Sequence, residues 1–187
     1  MSPSLNALAR DALAELGGVF TALAEDAANP LIEAILGARR IALYGAGREG
    51  LAIKGFAMRL FHMGRDAHVV GDMTTPPLGP GDLLIVTSGL GHLATAEALV
   101  EIARSAGART VIITAQADGP TSRKVDLRVV IPAQTMADDQ GMGLSVLPMG
   151  SLFEFAEAIF FELVILKLRD RTGETAESMR RRHTNLE

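Results

Sequence analysis

Arg40-Ile-Ala-Leu-Tyr-Gly-Ala-Gly-Arg-Glu-Gly50 decides the fold. It is a short apolar run, then a glycine-rich turn, then the helical spacing Leu51, Phe56, Met58, Leu60. Four apolar residues between an arginine pair and a glycine read as a strand buried on both faces. Gly45, Gly47 and Gly50 allow a tight turn and a close backbone approach to a ligand. A helix starting there offers unpaired N–H groups and the positive end of its dipole to an anion. A lone G-x-G also closes ordinary strand-to-helix turns that bind nothing, so the stretch speaks more firmly to fold than to function.

Downstream the pattern repeats. Ala67-His-Val-Val70 reads as a second strand, followed by the proline-rich loop Asp72 to Gly81. Asp82-Leu-Leu-Ile-Val-Thr87 is the clearest buried strand, and Ser88-Gly-Leu-Gly91 is a second glycine turn ahead of a helix from Leu93 to Ala106. Thr110 to Thr114 and Leu127 to Ile131 give strands four and five, with a short helical piece at Pro120–Lys124. Strands alternating with helices over short loops give an α/β fold, a five-stranded parallel sheet in three αβα layers. Ligands of such sheets sit at the strand carboxyl ends, where both glycine turns lie and can line one crevice.

Upstream, Ser2-Pro3 reads as an N-cap with proline in the first turn. Leu5, Leu8, Ala12, Leu16, Val19 and Leu23 form one face of a helix, in which Gly17-Gly18 implies a close crossing against another element. Asn29-Pro30 starts a shorter second helix that stops near Gly37. Ala133 to Leu147 has little periodicity and reads as a functional loop. Met149-Gly150 then opens a long helix to about Arg169. Its apolar residues fall on one face (Leu152, Phe155, Ala156, Ile159, Phe160, Leu163, Leu166) and on the opposite one (Phe153, Phe161, Val164, Ile165, Leu168). A helix apolar all round is buried all round, and a sheet covers one side only. The second face is therefore expected to be a patch covered by another subunit. Gly173 ends this helix, Thr175 caps a last short one, and the run Arg180-Arg-Arg182 reads as a solvated face. One domain over 1–187 results: a helical appendage at 1–38, a parallel α/β core at 39–132 and C-terminal helices at 149–187.

The chain of 187 residues is 48% hydrophobic with a net charge of −4, which excludes general disorder and argues against nucleic acid as a partner. It has no cysteine, so disulfide and thiolate chemistry are absent. No apolar run reaches the ~18 residues of a membrane span, and the N-terminus shows no signal pattern. No membrane partner and a cytoplasmic location are the expectation.

Four histidines, His62, His68, His92 and His183, form no pair at ligand spacing, so no metal is expected. Thr87-Ser-Gly-Leu-Gly91 lacks the spacing of a nucleophile elbow. A dinucleotide cofactor is disfavoured, because no clear acidic residue follows strand two apart from Asp72. Glu154 stands out as a carboxylate in the first turn of the doubly apolar helix. Burial with few partners would raise its pKa and suit it to proton transfer.

Taken together these residues resemble the sugar isomerase (SIS) domain family, and within it the 6-phospho-3-hexuloisomerases. The resemblance runs over nearly the whole chain. It rests on Gly45-Ala-Gly-Arg48, Lys54-Gly-Phe-Ala-Met-Arg-Leu60, Val70-Gly71 with Thr74-Thr-Pro76, Gly81-Asp-Leu-Leu84, Thr87-Ser-Gly89, Pro148-Met-Gly-Ser-Leu-Phe-Glu154 and Arg182-His-Thr-Asn-Leu-Glu187. It implies a flavodoxin-like parallel sheet and a tetramer with sites between subunits. It also implies cofactor-free interconversion of a phosphorylated 3-ketohexose and fructose 6-phosphate, with catalytic parts for Glu154 and His183. The candidate substrate set is Gly45, Gly47, Arg48, Glu49, Thr74, Thr87, Ser88, Gly89, Gly91 and His92. The chain departs from the family where serine usually stands at Glu49, and where Ser-Gly-Ser-Gly-Glu-Thr usually stands at Ser88-Gly-Leu-Gly-His-Leu93. Three hydroxyls that would serve a phosphate are missing and a carboxylate is added.

Two readings follow. One is an isomerase working through an enediol, with Glu154 as carbon base and His183 assisting at oxygen. The other is a non-catalytic SIS-type protein that binds a carbohydrate derivative or regulates through a partner. Solvent deuterium entering the ligand separates them.

Overall fold

A computed structural model describes residues 2–186; Glu187, the end of the C-terminal motif, lies outside them. The order is α1 (Leu5–Ala22), α2 (Asn29–Gly37), β1 (Ile41–Tyr44), α3 (Gly47–His62), β2 (Ala67–Val69), β3 (Leu83–Thr87), α4 (Ala94–Ser105), β4 (Arg109–Thr114), β5 (Leu127–Val130), α5 (Ser151–Thr172) and α6 (Ala176–Arg181). A 3-10 turn at Ser122–Lys124 precedes β5. The five strands are all parallel, in the order β2-β1-β3-β4-β5. The order reverses between β1 and β3, and both glycine turns leave the sheet there.

Alternation along the strands divides the core between two faces. Ile41, Leu43, Leu83, Ile85, Val111 and Ile113 pack with α1, α2, α3 and α5. Ala42, Leu84, Val86 and Ile112 pack with Ala96, Val100 and Ala103 of α4. This is the expected three-layer sandwich. The Phe56 and Phe161 rings stack at 4.4 Å between α3 and α5, an arrangement worth about 0.5–1.5 kcal/mol beyond area burial.

The first glycine turn is built for packing. A Cβ on Gly45 would stand 2.5 Å from Thr87 Cγ2, and one on Gly50 would stand 2.6 Å from the Gly45 carbonyl oxygen. These glycines bring the start of α3 against β1 and β3, and Gly47 adopts a left-handed φ of 55°.

Three expectations are corrected at the helices. The cap of α1 is Ser4, whose Oγ accepts from the Ala7 N–H at 3.2 Å, rather than Ser2. Gly17 and Gly18 face open space and make no close crossing among the described residues. On α5, Phe153, Phe161, Val164, Ile165 and Leu168 are buried within the chain, not presented as a patch. The sheet and α3 take part of this helix, and α1 and α2 pack on it as well. What stays open is the stripe Phe155, Ile159, Leu163 and Leu166, each 40–48% exposed. Leu5, Leu8 and Leu13 of α1 are exposed too. No helix among the described residues is long and apolar enough to cross a membrane.

Candidate functional site

Thr87 ends β3, wholly buried, and the chain then turns through Ser88-Gly89-Leu90-Gly91. Glu49, in the first turn of α3, reaches across to this second turn. Its Oε1 and Oε2 accept the Gly89 N–H at 3.1 and 3.0 Å, and Oε2 lies 3.0 Å from the Thr87 hydroxyl. The two glycine turns are thus tied by one carboxylate. Burial pushes the Glu49 carboxyl up, and the neighbouring Glu154 charge adds to this; the Gly89 N–H and the Thr87 hydroxyl pull the other way.

Glu154 enters from the first turn of α5, where the positive helix end favours a carboxylate. Gly150 at the cap is left-handed, as is Met149 with φ 55°, an uncommon conformation for a side chain of that size. Arg48 Nη1 stands 3.0 Å from Glu154 Oε2, donates to Ser151 Oγ at 2.7 Å, and the guanidinium lies 5.4 Å from the Phe155 ring centroid. Glu154 Oε2 accepts no hydrogen bond. Glu154 thus has few partners, as expected, but one of them is a counter-ion.

The isolated carboxyl is Glu157, one turn further along α5 and absent from the sequence reading. It is 0% exposed, hydrogen-bonded to the Thr87 hydroxyl through Oε1, and without a partner at Oε2. Burial holds its carboxyl well above the usual carboxylate range, with the Glu49 and Glu154 charges acting in the same direction. Splitting α5 into two opposite faces, with Phe160 apart from Phe153 and Val164, hides it; in the structure Glu157 is buried along with all three.

Glu49, Leu90, Met149, Phe153 and Glu154 line a cavity of about 50 Å³ at these strand ends. Small-molecule sites run to roughly 300–1,000 Å³, so this cavity alone is too small to hold a hexose. Of the expected set, Glu49 and Glu154 line it; Thr87 and Gly89 bond to Glu49, Arg48 pairs with Glu154, and Gly45 packs on Thr87, while Gly47 and Ser88 lie in the two turns without lining the cavity. The remainder do not join them. Thr74 is exposed in the loop after β2. Gly91 closes against Gln116 and Gly119, and His92 turns to Glu97 of α4, 3.6 Å away. The Gly91 N–H, expected to be free for a ligand, donates to the Ser88 carbonyl at 2.9 Å. No group of three His, Asp or Glu among the described residues converges as a metal site.

His183 lies elsewhere. Its ring meets His62 at 5.2 Å, in a groove of about 330 Å³ also lined by Arg59, Ile165, Leu166, Arg169 and Arg180. Leu166 is twelve residues beyond Glu154, or roughly 18 Å along α5. Arg182, expected on a solvated face, is instead an anchor: it pairs with both Glu174 oxygens at 2.9 Å and donates to the His62 carbonyl at 2.8 Å.

The sequence pattern of the SIS domain matches residues 34–157. The chain belongs to the SIS domain family, on the branch that holds the 3-hexulose-6-phosphate isomerases. It is 39% identical over 178 residues to the Bacillus subtilis 3-hexulose-6-phosphate isomerase, covering 94% of this chain and 95% of that one. It is 42% identical over 148 residues to the Mycobacterium gastri enzyme of the same name, covering 79% and 74%. Among solved structures, a Methanococcus jannaschii protein whose crystal structure infers a molecular function of 3-hexulose-6-phosphate isomerase superposes with TM-score 0.81. That protein is 28% identical, over 98% of both chains.

Proposed function

We propose that this protein is a cofactor-free isomerase of a ketohexose derivative, moving a carbonyl between neighbouring carbons through an enediol. The observation that carries this reading is Glu154. It stands at the strand carboxyl ends, paired with Arg48 and accepting no hydrogen bond, as a carbon base requires. In the forward step Glu154 takes the proton from the carbon beside the ketone, and the electron pair forms the enediol double bond. The carbonyl oxygen takes a proton as the hydroxyl on the first carbon gives one up, so that this carbon becomes the new ketone, and Glu154 returns its proton to the former carbonyl carbon. Arg48 holds the carboxylate in place. The kinship to 3-hexulose-6-phosphate isomerases supports this reaction class.

Oxygen-to-oxygen transfer needs a second group. His183 is assigned this part and is supplied by another copy of the chain, since its own lies in a separate groove further along α5, lined by Glu162, Ile165 and Leu166. The open stripe Phe155–Ile159–Leu163–Leu166 supports such an assembly, proposed as a tetramer, because it leaves from beside Glu154 and runs toward the His183 end. A second copy covering it would also complete a cavity too small for a hexose. Glu49, Leu90 and Leu93 alter the end of the ligand that meets the glycine turns. The test is turnover of fructose 6-phosphate and related ketohexoses, with and without phosphate, by the natural protein and by Glu154→Gln. The reading expects activity in the first and a loss of about 10²–10⁴-fold in the second. Equal turnover by both would overturn it.

A further inference from the structure

Glu157 is buried to the last atom, yet the enediol chemistry gives it nothing to do. Its neighbour Thr87 also touches Glu49, so one hydroxyl stands between two carboxyl groups. A threonine hydroxyl has one hydrogen and cannot donate to both. One of the two carboxyls therefore carries a proton. Glu49 has the Gly89 N–H and the positive end of α3 to stabilise its charge. Glu157 has neither, and its Oε2 has no partner. The neutral member is Glu157. Its O–H donates to Thr87 Oγ1, Thr87 donates to Glu49, and Glu49 accepts the Gly89 N–H.

We infer that Glu157, Thr87 and Glu49 form one specificity-determining unit that fills the anion cradle of the two glycine turns from within, so that the ligand end seated there is an uncharged, hydroxyl-bearing one and not a phosphomonoester. This rests on the reading above only in taking the ligand to be a sugar derivative. Several donors at the second glycine turn are already engaged. Gly89 N–H serves Glu49, Gly91 N–H serves Ser88, and Arg48 turns its Nη1 to Glu154 and Ser151. Leu90 supplies no side-chain donor at the cavity wall. With Glu157 neutral, the charges at the cavity are Glu49 and Glu154 against Arg48, a net of −1 before any ligand enters. A phosphate dianion wants several donors and positive potential; here the second turn's N–H groups at Gly89 and Gly91 are taken and the net charge is negative. Sugar hydroxyls fit better, because a carboxylate has about four acceptor positions and Glu49 keeps capacity to accept from them.

The unit also makes phosphate entry pH-dependent. The charged and titratable groups bearing on Glu49 are Glu154 and Glu157 from α5 and Arg48 from its own helix. Lowering the pH neutralises Glu49 and relieves the repulsion.

Calorimetric titration with fructose 6-phosphate and with inorganic phosphate tests this on the natural protein, Glu49→Ser and Glu49→Gln. The natural protein should bind both weakly at pH 8 and more tightly as the pH falls. Glu49→Ser should bind fructose 6-phosphate at least about tenfold more tightly at pH 8 and lose the pH dependence. Glu49→Gln, which keeps the shape, should recover part of the gain. Infrared spectra at pH 7 should show a protonated-carboxyl carbonyl band that Glu157→Gln lacks. Tight phosphate binding by the natural protein unchanged in Glu49→Ser would overturn the inference, as would a spectrum with no such band. Binding is read without turnover. Phosphate-tolerant isomerisation would therefore defeat this inference and leave the isomerase reading standing, whereas absent isomerisation would defeat that reading alone.

Discussion

The two ends of α5 are chemical opposites. The N-terminal end gathers Glu49, Glu154 and Glu157 against Arg48 alone. The C-terminal end gathers Arg59, Arg169, Arg180 and Arg182 around His62 and His183, with Glu162 paired to Arg59 and Glu174 to Arg182. Each end suits the helix dipole, with acid at the start and base at the finish. Neither end is a complete acid–base site for an enediol reaction. On the proposed reading one would supply a carbon base and the other an imidazole, and twelve residues of α5, roughly 18 Å, run from Glu154 to Leu166 in the groove that holds His183. On that proposal a single chain carries two half-sites, which a symmetric assembly would join.

The strongest way to break this comparison is at Glu154. Glu154→Gln should reduce turnover by about 10²–10⁴-fold while the melting temperature changes little, because the side chain is paired at a cavity and not in the core. Next comes the separation itself. His183→Ala should lose turnover as well, and unfolding and refolding it together with Glu154→Gln should return part of the activity, since mixed assemblies contain intact pairings. No recovery would place both residues' roles within one chain. The open stripe sharpens the point further. Light scattering should give at least twice the 19.8 kDa chain mass at micromolar concentration, and Leu163→Glu should lower it.

A smaller effect distinguishes the carboxyls at the acidic end. The Glu157 carboxyl is raised in the fold above its ordinary 4.5. Its stabilising contribution is complete below that ordinary value and is lost as pH rises through the folded one. Glu157→Gln cannot lose a proton, so it should melt like the natural protein near pH 4 and higher than it at pH 8. The basic end behaves in the opposite sense and most weakly. Arg182 and Ser178 hold Glu174 down to about 2. Its contribution is present above 4.5 and fades as pH falls toward 2. Glu174→Gln should loosen α6 near neutral pH, seen as faster proteolysis of the C-terminal segment, and the difference should vanish in strong acid.

The sequence made the sheet legible because its strands are short apolar runs closed by glycine turns, a pattern that burial on both faces imposes. Glu154 was legible through the stretch Pro148 to Glu154. Glu157 was not. A glutamate on a helix ordinarily marks the solvent side, and only the Thr87 hydroxyl, seventy residues away in sequence, shows otherwise. The faces of α5 were misassigned for a related reason. When a helix is apolar all round, periodicity cannot say which side its own chain covers, and the packing of α1 and α2 decided it. The inward turn of Glu49 was not fixed by the sequence, since Arg48 next to it and Lys54 five residues on could each have drawn it outward. The Gly89 N–H is the partner that burial selects.

Solvent deuterium incorporation tests the central claim most directly. The protein is incubated in deuterium oxide with fructose 6-phosphate and, separately, with fructose at high concentration, and each ketose is recovered for proton NMR. The account predicts loss of the carbon-bound hydrogen beside the ketone in at least one of them, catalysed by the natural protein and abolished in Glu154→Gln. Exchange that proceeds unchanged in Glu154→Gln, or no exchange in either sugar, would contradict it.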